Sequence, residues 1–301
     1  MGISGEQALD CFRSEDLVGL GMEADAVRRR LHPEGVVSYA MGCKVECAAV
    51  AALDKVYAAI GESVERGGTG LRLDFGGADG DAVAAVLRGV RQRFPGVWIE
   101  GLSAAELIAI AKGWGLGVSE TIARLRDAGL DAICGDGADL ADSGRAEWCS
   151  VAEWVAVHRA AHGLGMRTTA EMVFGGGETL EQRVEFLGVV RRLQEETGGF
   201  AAFVPVAADA PGGRELDGVT AMERLKTLAI ARMFLDNIEN VQTIGAAQGL
   251  KVLQMGLRFG GNDVGPVAES AGSEEDVRRI IRDAGFRPAQ RDAAYRAMML
   301  S

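Results

Sequence analysis

The sequence predicts an α/β fold, a single (β/α)8-like barrel with helical additions at its N-terminal and C-terminal ends. Three observations carry this expectation. Short apolar, strand-like runs alternate with amphipathic, helix-like runs along the whole chain, which is the pattern of a parallel sheet wrapped by helices. Neither a linker nor a low-complexity segment breaks the alternation. Across 301 residues, 48% hydrophobic content suffices for one large core. The expected division is a helical lead-in over 1–34, a barrel over 35–265 and a C-terminal helical tail over 266–301.

The first expected strand is Gly-Val-Val-Ser-Tyr-Ala-Met at 35–41. A helical stretch to about Glu65 ends at Gly67-Gly68, and Gly70 to Phe75 reads as a second strand that stops at Gly76-Gly77. The unit then repeats: Asp81 to Phe94 is amphipathic, 97–102 is a strand, and Ser103 caps a helix through Ala111. Later strands are expected at 130–134, 167–174, 200–206 and 241–244, with helices starting at Ser150, Thr179, Thr220 and Gln248. A short strand at 262–264 brings the count near eight, and a last helix follows over 273–284. In such barrels the chemistry sits where strands end and loops begin.

Charge narrows the function classes. A formal charge of -11 and a pI near 4.9 argue against nucleic acid or an anionic membrane surface as partner. The start lacks the basic and apolar regions of a signal peptide, and no apolar run is long enough to span a bilayer, so a cytoplasmic location is expected. Five cysteines, an odd number scattered over half the chain, do not read as a disulfide framework. The expected ligand is a small molecule, with a homo-oligomer or pairing with a related enzyme as the candidate assembly.

Cys43, Cys47 and Val50 are the most informative residues. They stand in the order C-K-V-E-C-A-A-V, where C-x-x-x-C-x-x-C would resemble the cysteine loop of a radical S-adenosylmethionine (SAM) enzyme. Three thiolates in such a loop hold a [4Fe-4S] cluster and leave one iron open for SAM. A valine methyl binds no iron. The wider chain, through Gly-Gly-Thr-Gly (67–70), Arg-Phe-Pro-Gly (93–96), Leu-Asp-Asn-Ile-Glu-Asn-Val-Gln (235–242) and Leu-Arg-Phe-Gly-Gly-Asn-Asp (257–263), resembles the radical SAM family of dehypoxanthine futalosine cyclase and aminofutalosine synthase in the futalosine route to menaquinone. That resemblance implies a SAM-binding barrel of radical-SAM type acting on a nucleoside-derived substrate.

Departures from the family pattern gather at strand ends. Phe75-Gly76-Gly77 stands where the family has Gln-Gly-Gly, whose glycines let the backbone approach SAM. Trp98 and Glu100 replace two histidines, Gly135-Asp136-Gly137-Ala138-Asp139 replaces a Gly-Gly-Gly-Ala-Glu pattern, and Glu171 occupies a small or neutral position. The caps and framework runs survive, which points to a maintained scaffold with changed chemistry. The candidate acid/base residues are Glu100, Asp136, Glu171 and Asp263. Phe75, Gly76, Gly77, Ser103, Trp98 and Asn262 are the candidate cofactor-binding residues, with SAM the candidate cofactor. Cys43, Cys47 and Cys134 are the candidate metal ligands, although two loop thiols and one distant donor are not expected to hold an intact [4Fe-4S] cluster. His158 and His162 share a helix face and are expected on a solvated surface. Three readings follow: a non-radical enzyme performing cyclisation, elimination, isomerisation or group transfer; a non-catalytic, ligand-binding partner of an active relative; or a radical enzyme with an unusual cluster.

Overall fold

The computed structural model describes residues 2–47, 53–145, 147–208, 218–243, 250–267 and 273–296. Val50, Gln248 and the end of the strand expected at 241–244 lie outside the described residues. Helices α1 (Gly5–Arg13) and α2 (Leu17–Leu31) form the lead-in, each begun by a side-chain cap, Ser4 and Asp16. There follow β1 (Val36–Glu46), α3 (Leu53–Glu65), β2 (Gly70–Asp74), α4 (Gly80–Arg93), β3 (Trp98–Gly101), α5 (Ala104–Trp114) and α6 (Val118–Ala128). Next come β4 (Ala138–Asp139), β5 (Cys149–Ser150), α7 (Val151–Gly163), β6 (Thr168–Phe174), α8 (Leu180–Thr197), β7 (Phe200–Ala207) and α9 (Ala221–Phe234). The chain ends with β8 (Asn240–Val241), α10 (Leu250–Arg258), β9 (Asp263–Val267), α11 (Glu274–Asp283) and β10 (Arg287–Arg291).

Every strand pairing is parallel. β1 pairs with β2 and β2 with β3. Residues expected as a fourth strand make only one bridge, Glu100 to Ala132, but their backbone continues the sheet: Cys134 N donates to Leu102 O at 3.0 Å and Glu171 N to Gly135 O at 3.1 Å. β6, β7 and β8 follow, the Gln242–Asp263 bridge leads to β9, and β9 pairs with β1. Hydrogen-bonded contacts thus pass through eight successive segments and return to β1, the α/β barrel that the alternation implied. The expected caps are formed: Ser103, Ser150 and Thr179 each close a reciprocal box with the residue three positions on.

Four elements differ from expectation, two of them β4 and β5, a short parallel pair where no strand was expected. α6 stands in a stretch given no element, and the tail is not only helical: after α11 the chain returns as β10 alongside Val36–Ala40 of β1. The reason lies in the floor of the lumen. Gly70 faces inward without a side chain, and Ala293 takes the vacated space; a Cβ on Gly70 would lie 2.4 Å from that of Ala293. Arg291 then enters the interior and forms a two-handed ion pair with the buried Asp263, at 2.5 and 2.8 Å. Its guanidinium also lies 3.7 Å from the Tyr295 ring centroid.

His158 and His162 do not form a surface pair. His158 is fully buried among Trp154 and Phe200, and both rings reach Thr168 Oγ1, at 3.0 and 2.9 Å. Burial holds His158 well below the usual imidazole range and His162 near 4, so both are neutral at neutral pH, His158 in the core and His162 half-buried beside it.

Candidate active site

Successive side chains of a strand alternate in direction, so Gly70 and Arg72, Trp98 and Glu100, and Thr169 and Glu171 each face the same side one step apart. Arg72 and Glu100 are direct register partners across β2 and β3. The upper inward layer is therefore charged. Arg72 donates from Nη1 to Glu171 Oε1 at 2.9 Å and from Nη2 to Asp136 Oδ2 at 2.7 Å, with Nη1 3.8 Å from Glu100 Oε1. Asp136 reaches the cluster from the turn after Gly135, and its other oxygen, Oδ1, is buried without a hydrogen-bond partner among the described residues.

One guanidinium among three carboxylates sets the protonation states. Glu171 beside it raises the Arg72 value well above the usual arginine range, so Arg72 stays charged. Burial pushes Glu100 up to about 7; Arg72 opposes the shift, and Glu171 and Asp136 add to it. Glu171 is raised by burial too, with Arg72 pulling in the other direction. Cys134 lies in the same lumen, and burial holds its thiol well above the ordinary value. The arrangement thus contains a permanent cation and a carboxyl poised to exchange a proton near neutrality.

Above this layer opens a cavity of about 540 Å³. Arg72, Cys134 and Asp136 form its base, and Lys44, Gly76, Gly77, Ser103, Glu106 and Trp148 form much of its wall. Gly76 and Gly77 adopt positive φ, 56° and 78°, and a Cβ on Gly77 would meet no atom within 4 Å. A ligand can therefore approach that backbone closely.

The candidates of the sequence reading divide sharply. Asp136, Cys134, Gly76, Gly77 and Ser103 line the cavity, while Glu171 and Glu100 stand beneath it around Arg72. Asp263 stands elsewhere: its carboxylate is wholly buried, held by Arg291, Ser38 Oγ and the Gly265 amide. Asn262 is buried in the wall, accepting from Arg232 and Val241 and donating to Asn240. Phe75 is buried behind the glycines, and Trp98 belongs to the floor, where it lines a small separate cavity with Glu100 and Tyr295. Cys43 lies on β1 rather than on a loop after it, because β1 runs five residues beyond Met41, to Glu46, to pair with β2. Cys43 lines a different cavity from Cys134, with Glu62 and Glu274.

Arg72 was not among the candidates that the sequence singled out. Its signal was a basic residue between Leu71 and Leu73, both buried, at an inward strand position. Arg291 and Tyr295 carried no comparable signal, since their place depends on the return of the chain to the barrel floor.

Residues 197–301 match the family model described as CofH/MqnC C-terminal region. Over 99% of its length the chain is 33% identical to cyclic dehypoxanthine futalosine synthase of Streptomyces coelicolor, covering 86% of that protein. The chain belongs to the radical SAM family of the futalosine pathway. Another relative is aminodeoxyfutalosine synthase of Thermus thermophilus, 33% identical over 98% of this chain and 92% of that protein. In fold, the chain is similar to HydG, a maturase of the [FeFe]-hydrogenase, with a TM-score of 0.72 over 96% of this chain and 73% of that one at 13% identity.

Radical SAM relatives imply SAM and an iron–sulfur cluster, and the two fit this chain differently. The open glycine backbone and the cavity volume suit a nucleoside-sized ligand such as SAM. Val50, three residues after Cys47, lies outside the described residues. Of the two remaining thiols, Cys47 is buried, turned toward the Val45 carbonyl at 3.7 Å, and pushed up to about 11 by burial and then by Asp74. Among the described residues no group of three or more His, Cys, Asp or Glu side chains is arranged to hold a metal ion. No helix of the described residues is long and apolar enough to cross a membrane.

Proposed function

We propose that this chain is a divergent member of the futalosine-pathway radical SAM family that has lost the radical reaction and uses the cavity over Arg72 for polar acid/base chemistry. The observation that carries the reading is the Arg72 cluster itself. Three carboxylates share one cation directly beneath a cavity of nucleoside size, and one of them, Asp136, lines that cavity. Arg72 holds Asp136 at the base of the cavity, and Asp136 takes up or releases the proton that a cyclisation, elimination, isomerisation or group transfer moves. The bound ligand is SAM or a related nucleoside, held against Gly76 and Gly77. When bound, SAM supplies an electrophilic carbon next to sulfur, and the chain supplies the position and the proton.

The test is a thermal-shift titration with SAM, S-adenosylhomocysteine and futalosine-like nucleosides, repeated on Asp136→Asn. Stabilisation by at least one ligand that weakens in the variant is the expected result. A flat response to all of them removes the reading. The non-catalytic partner reading draws on a different observation, Val18 and Met22 exposed one turn apart on α2. It gains if no ligand stabilises the chain and an active relative co-purifies with it.

A further inference from the structure

Trp148 carries the one aromatic ring among the described residues that line the cavity over Arg72. Its backbone is fixed: Trp148 N donates to Arg145 O at 3.1 Å, and the next residue, the buried Cys149, donates from N to Gly137 O at 2.8 Å. The edge of the ring reaches Gly176, where an added Cβ would lie 4.0 Å from Cη2, in ordinary contact. Gly176 is held in turn. Its amide donates to Glu178 Oε2 at 2.9 Å and the Gly175 amide to Glu178 Oε1 at 2.7 Å, while the buried Arg183 donates to the same Oε1 at 2.6 Å. Arg145, which does not line the cavity, places its guanidinium 5.2 Å from the ring centroid. A half-buried indole, fixed at its backbone and along its edge and open on the cavity, is a preformed face for a second ring. Leu73, Leu102 and Val173 add aliphatic wall to the same space.

The charges of the lining oppose an anion. Asp74, Glu106, Asp136 and Glu147 stand there against Lys44 and Arg72. Both cations are committed, Lys44 Nζ to Asp74 Oδ2 at 2.9 Å and Arg72 to Asp136 and Glu171 at 2.7 and 2.9 Å. The start of α5, where backbone amides could hold a phosphate, already has the Glu106 carboxylate, which accepts from Ser103 N at 2.8 Å. Protonation of every carboxyl around Arg72 still leaves Asp74, Glu106 and Glu147 against Lys44 and Arg72, so the lining stays negative. We propose that Trp148 is the platform on which the nucleobase of the ligand stacks, in a cavity that accepts an unphosphorylated nucleoside and refuses its 5′-phosphate. This deepens the nucleoside reading given above and rests on it.

The experiment is a titration of the full chain with SAM, adenosine and adenosine 5′-monophosphate, read by tryptophan fluorescence and by calorimetry. The other three tryptophans do not line this cavity: Trp154 is wholly buried in the core, Trp98 lies at the floor, and Trp114 lies 4.0 Å beneath the Arg124 guanidinium. Quenching by adenosine and by SAM that is lost in Trp148→Leu is the expected result. Affinity for both should fall about tenfold or more in that variant and less in Trp148→Phe, which keeps a ring and serves should the leucine chain not fold. The monophosphate should bind at least about tenfold more weakly than adenosine. Adenosine that binds no better to the parent chain than to Trp148→Leu, whether well or not at all, overturns the platform, while binding of SAM still upholds the nucleoside reading. Monophosphate bound as tightly as adenosine overturns the refusal of phosphate. If neither SAM nor adenosine binds the parent chain, the nucleoside reading falls and the platform falls with it.

Discussion

Replacing Glu100 with glutamine gives a stability change whose sign and pH dependence both follow from the structure. A carboxyl raised in the folded state adds stability in full below its unfolded value and loses it as pH rises through the folded value. For Glu100 that window runs from the ordinary 4.5 up to about 7. Well above 7 the folded protein bears an ionisation cost of about 3 kcal/mol relative to a neutral isostere, at about 1.4 kcal/mol per tenfold. Near pH 5 the same comparison leaves only about 1 kcal/mol. The side chain is 27% exposed, so solvent screening makes both figures upper ones. Glu100→Gln is therefore expected to raise the melting temperature by up to about 6 °C near pH 8.5 and by about 2 °C or less near pH 5, at about 2 °C per kcal/mol for a chain of this size. Thermal denaturation by circular dichroism at both pH values measures it. A gain that is equal at the two, or a loss near pH 8.5, refutes the argument.

Arg72→Met removes the cation from two charge-assisted hydrogen bonds and leaves Glu171 and Asp136 facing each other; denaturant titration at neutral pH should show a loss of about 2–4 kcal/mol, less in Arg72→Lys, which keeps the charge without the fork. Asp263→Asn breaks the wholly buried pair with Arg291 and should cost about 3–5 kcal/mol by the same measurement, with faster proteolytic release of the segment from β10 onward. Cys47 should react slowly with a thiol reagent at pH 8 and much faster only above its value near 11, read by mass spectrometry of the labelled chain.

The barrel was legible because its signals are local and repeated: glycine pairs after strands, reciprocal caps at Ser103, Ser150 and Thr179, and apolar runs of strand length. The site was legible in part. Glu100, Asp136 and Glu171 could be placed at strand ends from alternation alone, and they converge on Arg72. Asp263 and Asn262 looked equivalent by the same rule, yet they belong to the wall, since their partners Arg291 and Arg232 arrive from distant sequence. Trp98 misled because three residues of strand separate mouth from floor in a short β3. The Cys43 loop misled for the opposite reason. β1 continues past Met41 because β2 offers Gly70 to Asp74 as an edge, a long-range pairing that no local pattern announces.

Polar chemistry at this mouth, proposed above for a radical-SAM scaffold, excludes reductive cleavage of SAM by the chain. Anaerobic reconstitution of the purified chain with iron and sulfide, followed by iron determination and assay of 5′-deoxyadenosine formed from SAM, tests it most directly. No stoichiometric cluster and no 5′-deoxyadenosine above background is the expected result. Iron near the four atoms per chain of a [4Fe-4S] cluster, together with SAM cleavage, contradicts it.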